Sequence, residues 1–372
     1  MLRDPADRLE GDRILDESPG DLGLLLWRMA LDVTLWGITP KDARGDLFAD
    51  GCAESRLVLL VSAELPARAS APVVTLHAML ALPARADADT VSVCCLEVGA
   101  WARDAGLPHT AIAFAQAAAL SAPAEADAAL FVGICARAAG QGARAETWLR
   151  RAIAVARRER NGAAYSSALL ELGMLYESRG NLLRAERFFR LTMRAARRHR
   201  ERTERLRAAY ALFRLIRREG DRAAAARFAL AAQRLDGDVP GAADILMDVA
   251  RFWTDIGEPA RACAPLKRLV PALMTMEPAG QLAAFALTAR AQAESGHPYS
   301  GSVAWRAAWV LLRHEELPDV ARYVAAMDLA HAARASGDLR AFRAARRAAL
   351  RLAPQGEYSA AAERMDKLER AS

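Results

Sequence analysis

The sequence predicts an all-α fold built from repeated helix pairs, and three observations predict it. The first is composition. Hydrophobic residues make up 53% of the 372 residues and charged residues 26%, which describes a folded chain and excludes wholesale disorder. Ala, Leu, Arg and Glu dominate, while Val, Ile, Thr and aromatics are scarce. Unbranched side chains lose little rotamer freedom in a helix, so a β-rich fold is excluded. The second is a recurrence of glycine at 106, 140, 180, 220, 257, 296 and 337, each a few residues ahead of an Ala-rich amphipathic run. Successive spacings are 34, 40, 40, 37, 39 and 41, a period in the range of stacked helical repeats. The third is the pattern around these glycines, whose best copy reads Leu172-Gly173-x-x-Tyr176-x-x-x-Gly180-x-x-x-x-Ala185-x-x-x-Phe189.

The elements follow in chain order. Residues 1–88 do not share the period and read as an irregular helical cap: an amphipathic helix at Leu22–Trp36, then two helices bounded by proline at Glu54–Leu65 and Ala71–Leu82. A stacked array needs its first apolar face covered, which such a cap does. Repeat one holds Val98, Gly99, Ala102, Gly106, Ala111, Ala115, Ala118 and Pro123; repeat two follows one period later with Val132, Gly133, Gly140, Ala145, Leu149 and Ala152. Repeat three is the best copy, repeat four has Leu212, Ile216, Gly220, Ala225 and Ala232, and repeat five Val249, Trp253, Gly257, Ala262 and Leu266. Repeats six (Gly296, Gly301, Trp305, Ala308) and seven (Leu329, Ala330, Ala333, Gly337) are degenerate, the seventh placing Phe342 where Ala is usual. The repeats occupy 89–356, and 357–372 reads as a terminal solvating helix with Tyr358, Ala361, Met365 and Leu368 on one stripe.

Leu-Gly-x-x-Tyr on a first helix, Gly in the turn and Ala-x-x-x-Phe on a second closely resemble the tetratricopeptide repeat (TPR) family. The resemblance extends over all seven repeats and so over most of the chain. It implies a right-handed α–α superhelix of about seven helix pairs, and its period near 40 is similar to that of TPR-like superhelices in bacterial signal-sensing regulators and scaffolds. Gly173 then lets the second helix cross closely, Gly180 ends the first helix, and Ala185 sits where the two backbones nearly touch.

Enzymatic chemistry finds no support. The six histidines are scattered, and His314-Glu315-Glu316 lacks a second histidine at helical spacing and reads as a helix end. No phosphate-cradling G-x-x-x-x-G-K-[ST] or G-x-G-x-x-G and no G-x-S-x-G occurs. Cys94-Cys95 reads as a pair of buried core thiols. The five cysteines form no C-x-x-C, no signal peptide is evident, and no apolar run approaches the roughly 20 residues of a membrane span. The expectation is a cytoplasmic, non-enzymatic chain with no cofactor and no metal. Tryptophans 27, 101, 148, 253, 305 and 309 lie on apolar stripes and read as core, while Trp36 closes the N-terminal helix.

Charge is the feature that asks for a function. Only Lys41, Lys267 and Lys367 are lysines, leaving 48 arginines; the chain as a whole carries +6. Between Arg137 and Arg227 stand 23 arginines against nine carboxylates, whereas the stretch from Met1 to Leu60 holds 12 acidic and 7 basic groups. In TPR superhelices the concave groove is lined by first-helix positions 2, 5, 6, 9, 12 and 13. The resemblance places Arg214, Arg251, Arg290 and His331 at position 9 of repeats four to seven, and Arg103, Arg137, Arg217 and Arg334 at position 12. Repeat four adds Arg207 and Tyr210. This ladder suits carboxylates or phosphates, because a guanidinium binds them bidentately. It departs from the Lys and Asn carboxylate clamp of chaperone-binding TPRs. Asp244, Asp248 and Asp255 in repeat five offset part of it, and a solvated or internally paired face is the competing reading.

The expected function is a scaffold or adaptor holding an acidic peptide or partner segment in the groove. A peptide-sensing regulator is the alternative. Nucleic-acid binding through the basic stretch Arg194–Arg207 ranks below both, because that stretch lacks interleaved aromatics and the N-terminal region is acidic. Repeats six and seven also offer a face for homo-oligomer formation.

Overall fold

The computed structural model describes residues 10–48, 52–234, 242–354 and 357–370. Among them the chain forms nineteen α-helices and no strand. It divides into two compact units, Met1–Leu215 and Ile216–Ser372, with the division inside helix α11 (Arg202–Glu219).

The first unit opens with α1 (Glu10–Glu17), α2 (Asp21–Ile38), α3 (Cys52–Ser62) and α4 (Ala67–Ala81). Helix α1 is absent from the sequence reading. Three helix pairs follow: α5 (Ala88–Asp104) with α6 (Pro108–Ser121), α7 (Ala126–Ala138) with α8 (Gly142–Glu159), and α9 (Gly162–Ser178) with α10 (Leu182–His199). Each first helix also packs beside the next, α5 on α7 and α7 on α9. In the second unit α12 (Arg222–Arg234) precedes the pairs α13 (Ala242–Asp255) with α14 (Pro259–Leu269), α15 (Pro278–Glu294) with α16 (Pro298–Leu312), and α17 (Asp319–Ala335) with α18 (Leu339–Leu352). Helix α19 (Tyr358–Arg370) covers the last pair with buried Ala361 and Met365, while Tyr358 stays exposed. Repeats six and seven, degenerate in sequence, form complete pairs. The architecture is that of TPR-like stacked helix pairs.

All seven recurrent glycines adopt positive φ, between 73° and 86°. They end the first helices in the left-handed conformation that glycine enters without a Cβ penalty. The end is closed by two bonds of a Schellman motif: Gly180 N–H donates to Glu177 O at 3.0 Å and Asn181 N–H to Tyr176 O at 2.9 Å. The next residue then starts the second helix at once. Asn181 accepts from Arg184 N–H with its side chain, Asp221 from Ala224 N–H, and Asp338 from Arg340 and Ala341 N–H. In α6, α14 and α16, which lack such a cap, Pro108, Pro259 and Pro298 occupy the first helical turn, where the missing N–H costs nothing.

Gly173 fills its expected role. A Cβ there would overlap the ring of Phe189, and one at Gly133 would lie 2.5 Å from Leu149 Cδ2. At the position in repeat six that matches Ala185, a Cβ on Gly301 would stand 3.1 Å from Ala289 O, so the paired backbones do come close.

One apolar core joins the N-terminal helices to the first repeat, running from Ile14, Leu25 and Trp36 through Val98 and Phe114 to Val132. Trp36 lies inside α2, fully buried, with its indole N–H on Pro83 O at 2.8 Å and the Arg44 guanidinium 3.8 Å from its ring. Glu17 on α1 caps α6 from outside: it accepts from His109 N–H at 2.6 Å, and from Thr110 N–H and hydroxyl, each at 2.8 Å. A carboxylate at a helix N-terminus satisfies free amides and meets the positive end of the helix dipole. Fully buried Arg56 donates to Asp32 at 2.6 Å and to Leu80 O at 3.1 Å, beside the Phe48 ring.

Candidate functional site

The first helices present the candidate face, and each unit builds its part separately. In the first unit α5, α7 and α9 lie side by side. The inward turn of each helix is buried in the pair, so the residues one turn away stay partly accessible. Leu96, Phe131, Ile134 and Met174 are half-buried and Val93 exposed, so apolar side chains at first-helix positions 2, 5, 6 and 9 of three adjacent helices stay partly accessible.

Ion pairs between repeats accompany these side chains. Glu171, 3% exposed, accepts from Arg137 Nε at 2.7 Å and stands 3.4 Å from an Arg207 Nη, so one carboxylate serves the repeats on both sides. Arg214 donates to Glu177 at 2.8 Å and lies over Tyr210 at 5.8 Å from its ring centre. Arg103 pairs with Asp104 at 3.0 Å. On the second-helix side Glu146 accepts from the Tyr176 hydroxyl at 2.7 Å, from Arg179 at 2.7 Å and from Arg150 at 2.9 Å. Those bonds, the tyrosine's foremost, hold its carboxyl down at about 2.

In the second unit the charges converge further. Asp328 on α17, 2% exposed, accepts from Arg290 on α15 at 3.1 Å through Oδ1. Its Oδ2 lies 3.0 Å from an Arg251 Nη on α13, a contact off the hydrogen-bonding direction. Arg290 also reaches Asp255 at 3.1 Å and Glu294 at 3.0 Å, and His331 Nδ1 stands 3.6 Å from Glu294. Burial acts to raise the Glu294 carboxyl, but the neighbouring His331 imidazole and Arg290 guanidinium outweigh it and hold it below the usual range.

The residues expected from the sequence therefore divide as follows. Arg207, Tyr210 and Arg214 belong to the first unit, and Arg217, Arg251, Arg290 and His331 to the second. Arg251, Arg290 and His331 are brought together, through Asp328 and Glu294. Arg334 is turned to another task, donating to the carbonyls of Leu368 and Glu369 at 3.3 and 3.2 Å and so holding the C-terminal end of α19. Sequence reasoning missed Glu171, Glu177 and Asp328, the carboxylates that take up these arginines. A step of one repeat, forward from Arg137 or back from Arg214, finds the first two. Asp328 lies one repeat forward from Arg290, so the same step finds it, while its contact with Arg251 is two repeats away.

The basic stretch beginning at Arg194 sits at the end of α10, where Arg197 and Arg198 are exposed in the last turn and Arg200 (φ 65°) closes the helix. Arg157, Arg158 and Arg160 (φ 57°) repeat the arrangement on α8. Cations there complement the carbonyl end of each helix. Cys94, Cys95 and Cys135 are buried, and burial raises all three thiols, Cys135 to about 12. No helix is long and apolar enough to cross a membrane among the described residues.

No family model matches this chain, and no curated protein matches it by sequence. Solved structures with a similar succession of helices include a Rap protein complexed with competence and sporulation factor: 11% identity, 91% of this chain, 99% of that chain, TM-score 0.45. The Rap conjugation gene regulator of the plasmid pLS20, in complex with the Phr* peptide, is 12% identical over 92% of this chain and 97% of its own, with TM-score 0.45. PilF of Pseudomonas aeruginosa is 15% identical over 62% and 90%, with TM-score 0.39.

Proposed function

We propose that this chain is a non-enzymatic binding module that holds a peptide or an extended segment of a partner protein against its first-helix face. The observation that supports it is the apolar set Leu96, Phe131, Ile134 and Met174, left half-buried on helices that lie side by side and accompanied by ion pairs. An extended segment places alternate side chains on such a set, while the accompanying charges meet its backbone and polar groups. The groove residues are Arg207, Tyr210 and Arg214 in the first unit and Arg217, Arg251, Arg290 and His331 in the second. An acidic ligand meets Arg214 already paired with Glu177, and Arg251 and Arg290 already paired with Asp328, and competes with these carboxylates. The favoured partner therefore carries both charges, its carboxylates taking the arginines and its cations the released Glu and Asp. The same reading assigns the chain to the cytoplasm, where its five unpaired cysteines stay reduced.

The test is selection of a displayed peptide library on the wild-type protein, followed by binding of the selected peptides to Ile134→Asp, Met174→Asp and Arg214→Glu variants of verified helical content. Loss of about tenfold or more in affinity for the first two supports the apolar set. Peptides that bind all three variants as well as wild type sink the first-helix assignment.

A further inference from the structure

The second unit contains a defect that the repeat pattern does not require. Helix α14 has only eleven residues, fewer than any other second helix of a pair, and the chain continues as a 3₁₀ turn over Val270–Thr275. Pro271 has no N–H to continue an α-helical ladder, and the turn packs beside α14 and α15. Beside this turn, which lines it with Val270 and Leu273, a cavity of about 360 Å³ opens between α14, α15 and α16. Its walls are apolar, with Leu266, Leu273, Phe285 and Ala304 inside, and Val270 and Val303 more than half exposed at its edge.

A second chamber of about 330 Å³ adjoins it and shares Cys263, Lys267, Gln292 and Ser300 with the first. This chamber is polar, with His297 and Ser295 on its far side. Two of the shared groups lack partners. Lys267 is one of three lysines in the chain and makes no ion pair with any described residue. Gln292 lines both chambers and leaves its Oε1 buried without a hydrogen bond. No carboxylate lines either chamber. In a unit whose groove arginines are held by carboxylates, this is an unopposed positive site at the mouth of an apolar pocket.

We propose that these joined chambers bind a small amphipathic acid. Its aliphatic or aryl body fills the apolar chamber, and its carboxylate sits in the polar one, accepting from the Lys267 ammonium and the Gln292 amide. Size and lining match the general character of small-molecule sites, an apolar enclosure with a few polar groups that fix orientation. The site lies between the second helices α14 and α16 and the flank of α15, so its occupancy does not depend on the proposed peptide face.

Calorimetric titration of the full chain with decanoate and with 1-decanol, both below their aggregation limits, tests the proposal. Saturable binding of one decanoate per chain is expected, weakened about tenfold by Lys267→Gln, the effect of one charge-assisted hydrogen bond. The same variant should leave decanol binding unchanged. Ala307→Trp, which fills the apolar chamber, should abolish both; Val303→Asp, at an exposed edge position, serves the same purpose if the tryptophan variant fails to fold. Absence of saturable decanoate binding, several decanoates per chain, or undiminished binding to Lys267→Gln or Val303→Asp would overturn the assignment.

Discussion

Replacing Asp328 by Asn should destabilise the second unit and at the same time increase its attraction for anions. The substitution keeps the shape of the side chain and removes one charge that two guanidiniums share at 3.0 and 3.1 Å. At an effective dielectric constant near 20, each contact is worth about 5 kcal/mol of Coulomb energy. Burying the ions takes back several kcal/mol apiece, and breaking a buried pair has a net cost of about 3–5 kcal/mol. Here the loss is softened, because Arg290 keeps Asp255 and Glu294 while the Arg251 side chain is 25% exposed and regains water. The expected cost is about 2–3 kcal/mol, or roughly 5–10 °C in the melting transition of a unit of this size. Calorimetry on the full chain reads it as a lower melting temperature. Retention on an anion-exchange column should fall, retention on a cation-exchange column should rise, and 0.5 M salt should remove the gain. An unchanged melting profile together with unchanged retention would show that Asp328 does not hold the two arginines, and the account of an internally paired groove would fail.

Further expectations concern the first unit. Gly173→Ala drives a methyl into the Phe189 ring and should cost about 1–3 kcal/mol in urea denaturation, with part of the loss recovered in Gly173→Ala/Phe189→Leu. Glu17→Ala removes the external cap of α6 and should cost about 1 kcal/mol; amide exchange at His109 and Thr110 should accelerate more than exchange at the centre of α6. The Glu146 carboxyl is depressed in the folded chain, so its contribution is fully present above its unfolded value, about 4.3, and is lost as pH falls toward about 2. Urea midpoints measured between pH 6 and pH 2.5 should therefore fall less steeply for Glu146→Gln than for wild type.

The glycines made the fold legible, because a residue that must adopt positive φ leaves little choice of side chain and recurs visibly even where the apolar pattern has decayed. Gly296 and Gly337 marked repeats six and seven correctly although few other consensus positions survive there. The helix pairs' interiors were legible for the same steric reason, as with Gly173 against Phe189. The electrostatics of the face were not. Counting arginines by position picked out Arg214, Arg251 and Arg290 but not Glu177 and Asp328, which lie one repeat from Arg214 and Arg290 and pair with them because successive first helices lie side by side in space. Helix α1 and its capping Glu17 escaped notice because the segment is short and acidic, and its purpose becomes visible only beside the N-terminus of α6, 92 residues away. The shortened α14 was signalled by Pro265 and Pro271, whose consequence, a gap in the stack, depends on what the neighbouring helices fail to fill.

The contact between Arg251 and Asp328 spans two repeats, from α13 to α17, with α15 between them. Repeat arrays generally obey nearest-neighbour energetics, in which each module feels only those beside it and the stack can fray from an end one module at a time. A tie between second neighbours breaks that additivity. Losing α17 from the stack also withdraws a counter-ion from α13, so the three pairs of the second unit are bound into one cooperative block whose partly unravelled forms are suppressed. The degenerate repeats, weakest in consensus, thus gain through a charge network the all-or-none behaviour that their side-chain packing alone would not guarantee.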